Sequence, residues 1–347
     1  MKNLKLLCLI FLLIFCRTNP LKAQKLESPE SSQAAMVMQR IGLTDITIAY
    51  HSPLAKKREI WDVIVPYGEV WRAGANENTR ISFSTNLKIG GQAIASGTYG
   101  LHMIPGKDKW TIIFSKNSTS WGSFFYDKSE DALRIEATPV IVEYQDWLSY
   151  AFTELQSNSC KINLRWEKIS VSFKIEADVQ EIVYNSMKEE LRGNDGFTWE
   201  APLQAARYCF TNQIHLDQGK KWLEQSIRTQ ENSANCFTMA KYLEKEGKIK
   251  EAGEMKEKAK KLANEAELNA HGYALLAEKN ISEAISVFIL NVKRYPDSWN
   301  VYDSLGEAYD IDGNKKEALK YYRLALSKSP ESQKARIEPI IKKLESN

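Results

Sequence analysis

Two adjacent stretches decide how much of this chain folds: EAELNAHGYALLAEKNISEAISVFILNVKRYPDS (265–298) and WNVYDSLGEAYDIDGNKKEALKYYRLALSKSPES (299–332). Set one above the other, Gly272 falls on Gly306, Ala284 on Ala318, Phe288 on Tyr322 and Pro296 on Pro330, each pair 34 residues apart. Apolar residues within each stretch recur with a period near 3.6, which predicts a pair of helices per unit. Small Gly and Ala residues let two helices approach closely, an aromatic ring fills the space between them, and proline ends the second helix. Upstream, the unit around Tyr242, Gly247 and Ala252 is a degenerate copy, and 198–230, with Trp222 and Leu223, reads as a helix pair by period alone. Residues 331–345 read as a capping helix.

The second unit also holds Leu305, Tyr309, Gly313, Ala325 and Leu326. With these residues the two units closely resemble the tetratricopeptide repeat. The resemblance implies a helix-turn-helix solenoid in which the first helix of each unit lines a concave face presented to a protein or peptide. In the last unit that helix is expected over 298–311. Asn300, Asp303, Glu307 and Asp310 lie on one stripe of it, and the matching helix before it offers Asn269, Tyr273 and Leu276. Tyr302, Leu305, Gly306 and Tyr309 account for the buried face, so the acidic stripe is expected to face outward. Read as a groove, it calls for a partner segment carrying Lys or Arg. Read plainly, it is a solvated helix face.

From about residue 36 to 178 the period is two. Ile46, Ile48 and Tyr50 alternate with Thr47 and Ala49, and Ile81 and Phe83 with Ser82 and Ser84. Ile162, Leu164 and Trp166 alternate with polar residues, as do Ile169, Val171, Phe173 and Ile175. Such alternation marks strands with one buried face. Gly90-Gly91 predicts a two-residue hairpin, and Pro105–Asp108 and Glu167-Lys168 read as further turns. Nine or ten strands without an intervening helical pattern predict antiparallel sheets packed as a sandwich or open barrel. The expected architecture is thus α+β and multidomain: a β-sandwich-like domain over 24–178, then an all-α helical-repeat domain over 179–347.

Specific motifs mark the first half: Ile41-Gly42-Leu43-Thr44, the run from Val65 to Glu77 (VPYGEVWRAGANE), Ser96 to Leu101 (SGTYGL) and Ile104 to Thr111 (IPGKDKWT). Together they resemble domain-of-unknown-function family 2911 over about 28–178. The resemblance implies an exported protein of Gram-negative bacteria and carries no activity.

Pro66 to Arg80 is the least ordinary stretch. Tyr67, Trp71, Arg72, Asn76 and Glu77 combine an aromatic plane, a guanidinium, an amide and a carboxylate, which together can hold a sugar or a small anionic group. The same residues also suit a structural role, with Trp71 as a core plug and Arg72 and Glu77 as an ion pair. Tyr50 and His51, or His102, would supply a facing wall. No catalytic signature is present: there is no G-x-S-x-G, no phosphate loop and no H-E-x-x-H. The four histidines are scattered, with no metal-ligand spacing on one element, so neither metal nor cofactor is expected. Glu130-Asp131 reads as solvated loop, and Trp121, Phe124, Phe125 and Tyr126 as hydrophobic packing. Lys241 to Lys261 interleaves Lys with Glu, a pattern of i,i+4 pairs rather than of nucleic-acid binding.

The N-terminus reads as a secretory signal peptide, with basic Lys2 and Lys5, an apolar run Leu6–Phe15 and cleavage after Ala23. Ten apolar residues are too few to cross a bilayer as a helix, so the mature chain is expected to lack a transmembrane segment and to be periplasmic or otherwise exported. Over 347 residues, Lys and Arg number 47 and Asp and Glu 44, for a formal charge of +3. The first 23 residues contribute four cations and no acid, so no basic field toward nucleic acid remains. Of the five cysteines, Cys160, Cys209 and Cys236 lie beyond that segment. Cys209 and Cys236 could pair, and all three could equally be buried thiols. The expectation is an exported docking protein. The alternative is a periplasmic hydrolase or carbohydrate-binding protein with its site around Trp71–Glu77. A third reading makes both halves structural parts of an envelope assembly.

Overall fold

The structure is a computed structural model and describes residues 29–346. The expected signal peptide and its expected cleavage after Ala23 lie outside the described residues. The chain divides into two compact units between Val179 and Gln180.

The first unit holds ten strands: β1 (Gln33–Ile41), β2 (Thr44–Ser52), β3 (Arg80–Phe83), β4 (Leu87–Ile89), β5 (Gln92–Ile94), β6 (Gly97–Ile104), β7 (Trp110–Ser115), β8 (Asp131–Ala137), β9 (Val140–Thr153) and β10 (Ser159–Glu176). They form two antiparallel sheets, ordered β1-β2-β3-β6-β7-β8 and β5-β4-β10-β9. The alternation is a burial pattern: along β2, Thr44, Ile46, Ile48, Tyr50 and Ser52 are buried and the residues between them half-buried. Side chains of the two sheets meet in one core, with Phe114 edge-on to Phe173 at 5.7 Å and Tyr50 edge-on to Tyr150 at 4.8 Å. The β4–β5 hairpin turns on Gly90 and Gly91 at φ of 55° and 81°, a conformation that L side chains rarely take. Glu167-Lys168 is not a turn between strands. β10 runs through it, and Glu167 takes a left-handed backbone (φ 53°) opposite Gln145, where the ladder shifts register. Across the two shifts β10 runs from Arg165 to Ile169 while β9 runs from Ser149 to Ile141, so the extra residues lie on β9 and both flanks of β10 keep their buried face.

The second unit holds α1 (Val179–Glu190), α2 (Glu200–Asn212), α3 (Leu216–Thr229), α4 (Ser233–Lys245), α5 (Ile249–Leu262), α6 (Glu265–Ala277), α7 (Ile281–Arg294), α8 (Trp299–Ile311), α9 (Lys315–Lys328) and α10 (Glu331–Ser346). Four helix pairs follow one another (α2/α3 through α8/α9) between a leading and a closing helix. The 34-residue register is a contact: a Cβ on Gly272 would stand 2.5 Å from the Phe288 ring, and one on Gly306 3.1 Å from Tyr322. Asn232 and Asn264 cap α4 and α6 with reciprocal bonds to Asn235 and Glu267. The lysine-rich run ties neighbouring helices together more than it pairs along one. Lys256 reaches Glu244 at 2.7 Å and Glu283 at 3.7 Å, and Lys258 reaches Glu231 at 2.5 Å. Cys160, Cys209 and Cys236 are free and buried. Among the described residues no helix is long and apolar enough to cross a membrane.

Candidate functional site

Residues 53–79 cross from β2 to β3 and are stitched to both sheets. Leu54 bridges Trp147, and Trp71 bridges Met103 through two 2.8 Å backbone hydrogen bonds. Four indoles lock this crossing. Trp71 stacks on Trp166 at 5.9 Å and meets Trp61 and Trp110 edge-on. Its Nε1 donates to the Gly74 carbonyl at 3.1 Å. Half-buried, Trp71 thus packs against the other three indoles. Arg72 is held in place too. Its Nη1 donates to the Asn76 carbonyl at 2.6 Å and its guanidinium lies 5.7 Å over Phe124. Burial holds its pKa below the ordinary arginine value. Tyr67 sits half-buried in the turn that Asp62 accepts through the Tyr67 N–H at 3.3 Å. Asn76 takes a left-handed backbone (φ 57°), which sends its Nδ2 to Glu30 Oε2 at 2.5 Å.

Glu77 lines a cavity. The cavity holds about 580 Å³, and its wall includes Tyr50, His51, Glu77, Asn78, Arg80 and Ser120. His51 is held between two carboxylates: Nδ1 lies 3.1 Å from Glu77 Oε2, and Nε2 lies 3.4 Å from Glu30 Oε2. Asn78 Nδ2 donates to Ser120 Oγ at 2.8 Å, while its buried Oδ1 has no protein partner among the described residues. Tyr50 and His51 were a foreseeable wall. Glu30 was not, because nothing in its sequence neighbourhood marks it. No single element carries metal-ligand spacing, because Glu30, His51 and Glu77 come from three places in the chain.

Three other expectations change. Trp121, Phe124 and Phe125 are exposed rather than packed, at 53%, 77% and 74%. Phe124 lies over the Arg72 guanidinium instead. Asp131 is no solvated loop residue: it opens β8 and accepts hydrogen bonds from Arg134 and Tyr126. His102 is buried, with Nδ1 at 2.9 Å from Ser123 Oγ, and burial pushes its pKa down to about 4.

In the helical unit, the first helices of successive pairs line a cavity of about 400 Å³. Its wall includes Arg207 and Phe210 of α2, Phe237, Thr238 and Lys241 of α4, and His271 of α6. Phe237 stacks on the His271 ring at 3.7 Å, and His271 Nε2 is buried without a protein partner among the described residues. Burial pushes His271 down to about 4. None of these residues stood out in the sequence. The expected acidic stripe is only partly free. Asp303 is buried, and its Oδ2 accepts from Arg336 of α10 at 2.7 Å, because the closing helix packs across it. Tyr273 OH donates to Glu307 Oε2 at 2.7 Å. Asn300 is half-buried, Asp310 is exposed, and Asn269 Oδ1 is buried without a protein partner among the described residues.

No curated protein matches this chain. The solved structures it resembles match its helical region. YrrB, described as a TPR protein with an unusual peptide-binding site, is 20% identical, covering 45% of this chain and 81% of that one at a TM-score of 0.27. PilF of Pseudomonas aeruginosa is 19% identical, covering 42% and 67% at 0.28. MamA of Desulfovibrio magneticus is 20% identical, covering 49% and 97% at 0.26. For the β unit, whose indole-locked crossing and His51 cavity define it, residues 32–175 match the family described as Protein of unknown function (DUF2911).

Proposed function

We propose that this is an exported docking protein whose helical unit holds an extended segment of a protein partner. The observation that carries the reading is the cavity walled by the first helices α2, α4 and α6, with an aromatic floor and a buried, unpartnered His271 Nε2. A buried polar atom left without a hydrogen bond costs about 1–3 kcal/mol, and a peptide backbone crossing the cavity supplies the partner. An apolar side chain of the segment would lie against Phe210 and Phe237. A basic one, farther along, would meet Glu307 and Asp310. An array of extended peptides varied at those two positions tests this. Phe237→Ala should abolish the strongest hits, and Glu307→Lys with Asp310→Lys should remove the preference for a basic residue. Binding indifferent to both changes would show that the helices are a scaffold alone.

One observation favours a second reading for the β unit, a small-ligand site or hydrolase. Glu77 lies on His51 Nδ1 at the wall of a 580 Å³ cavity, the arrangement by which a carboxylate orients an imidazole base. A glycan fragment or small ester is the substrate class to screen, with His51→Ala as the control that must lose the response.

A further inference from the structure

We infer that His51 and Glu30 bind one divalent transition-metal ion, zinc or an ion of similar character, with Glu77 positioning the imidazole. This stands on the β unit and is independent of the docking reading.

The geometry is that of a metal-bound histidine before its ion arrives. Glu77 Oε2 lies 3.1 Å from Nδ1, and a carboxylate there favours the tautomer with the proton on Nδ1 and the Nε2 lone pair free. Ligating histidines are ordinarily oriented in this way, by a carboxylate on the other ring nitrogen. Nε2 then faces Glu30 Oε2 at 3.4 Å. Two ligands about 2.1 Å from a tetrahedral ion stand about 3.4 Å apart, the separation seen between these two atoms. The three candidate ligand atoms lie within 4.8 Å of one another.

Charge supports the assignment. Two carboxylates, Glu30 and Glu77, converge on one imidazole. A divalent cation offsets that repulsion. An imidazole with a carboxylate suits zinc and its neighbours better than magnesium or calcium, which prefer all-oxygen sites. Glu30 is held by Asn76 Nδ2, and the His51 carbonyl accepts from Ala75 N–H at 3.2 Å, so the chain on either side of the ion is tethered. His51 and Glu77 also line the 580 Å³ cavity.

The test is calorimetric titration of Zn²⁺ into the full chain after chelator treatment. One ion per chain should bind, with excess Mg²⁺ failing to displace it. His51→Ala and Glu30→Gln should each weaken binding by at least about tenfold, and Glu77→Gln by about 10–100-fold, the usual cost of losing a ligand's orienting partner. His215, which sits 2.7 Å from Glu181, is the competing imidazole–carboxylate pair. His215→Ala should therefore leave the affinity unchanged. Circular dichroism confirms that each variant is folded, and the His51 ring resonances should shift on adding Zn²⁺ to the native chain. No binding, binding unchanged in His51→Ala, loss in His215→Ala instead, or displacement by Mg²⁺ would each overturn the assignment.

Discussion

The β unit and the helical unit gather polar groups in opposite ways. In the β unit a strand residue (His51), a crossing residue (Glu77) and a residue ahead of β1 (Glu30) converge within a few ångströms. Convergence of that kind needs a crossing held rigidly, and four interlocked indoles do the holding. In the helical unit the polar groups are strung along successive first helices, each pair adding its own residues, from Arg207 on α2 to Asp310 on α8. A sandwich with one long crossing builds a point. A stack of helix pairs builds a line. The first suits a small ligand or ion, and the second suits an extended chain.

The comparison can be broken at its strongest joint. Trp110 is fully buried and meets both Trp61 and Trp71 edge-on. Trp110→Ala should cost about 3–5 kcal/mol, the usual range for a buried tryptophan. Urea unfolding should show the β unit's transition lost or shifted while the helical ellipticity persists. Equal loss of both signals would mean that the two units do not behave separately.

Acid should probe both units through their buried histidines. His102 is pushed down to about 4 from an ordinary 6.5, so the unfolded chain takes up its proton where the folded chain does not. Stability present above pH 6.5 is therefore lost as pH falls toward 4, by an amount on the order of 3 kcal/mol. His271 shifts in the same direction from a more exposed position and should contribute less. His102→Gln should flatten the acid limb of the β unit and leave that of the helical unit, as read by thermal melts between pH 4 and 7.

Smaller changes sharpen the contrast from the helical side. Gly272→Val places a branched side chain against Phe288, where even a Cβ would stand at 2.5 Å. Overpacking of this kind costs about 1–3 kcal/mol. The helical melt should fall while the β unit's transition is unmoved. Tyr273→Phe removes the 2.7 Å hydrogen bond to Glu307 and should cost about 1 kcal/mol in the same melt. A neutral result there would place that bond wholly in solvent exchange.

Periodicity carried the fold because it is local. Alternation in β2, the Gly90-Gly91 turn, and glycine opposite an aromatic ring at a 34-residue spacing each describe a neighbourhood the chain makes with itself. The irregular ladder opposite Glu167 escaped because a turn and a register shift can use the same left-handed residue, and only the partner strand distinguishes them. The site escaped further. Trp71, Arg72 and Glu77 are near neighbours in sequence, yet one stacks on Trp166, one braces a loop and one lines a cavity. Asp303 sits on the predicted stripe with Glu307 and Asp310, yet α10 turns it into a buried partner of Arg336.

From the sequence alone came the two periods, the change between them near residue 178, the repeat spacing and the strand count. These follow from which residues can share one face of a strand or helix. Only the tertiary structure brought Glu30 to His51, closed α10 over Asp303 and set Phe237 on His271. Those contacts join positions separated by at least 21 residues, and their distances depend on how whole elements pack rather than on any local pattern.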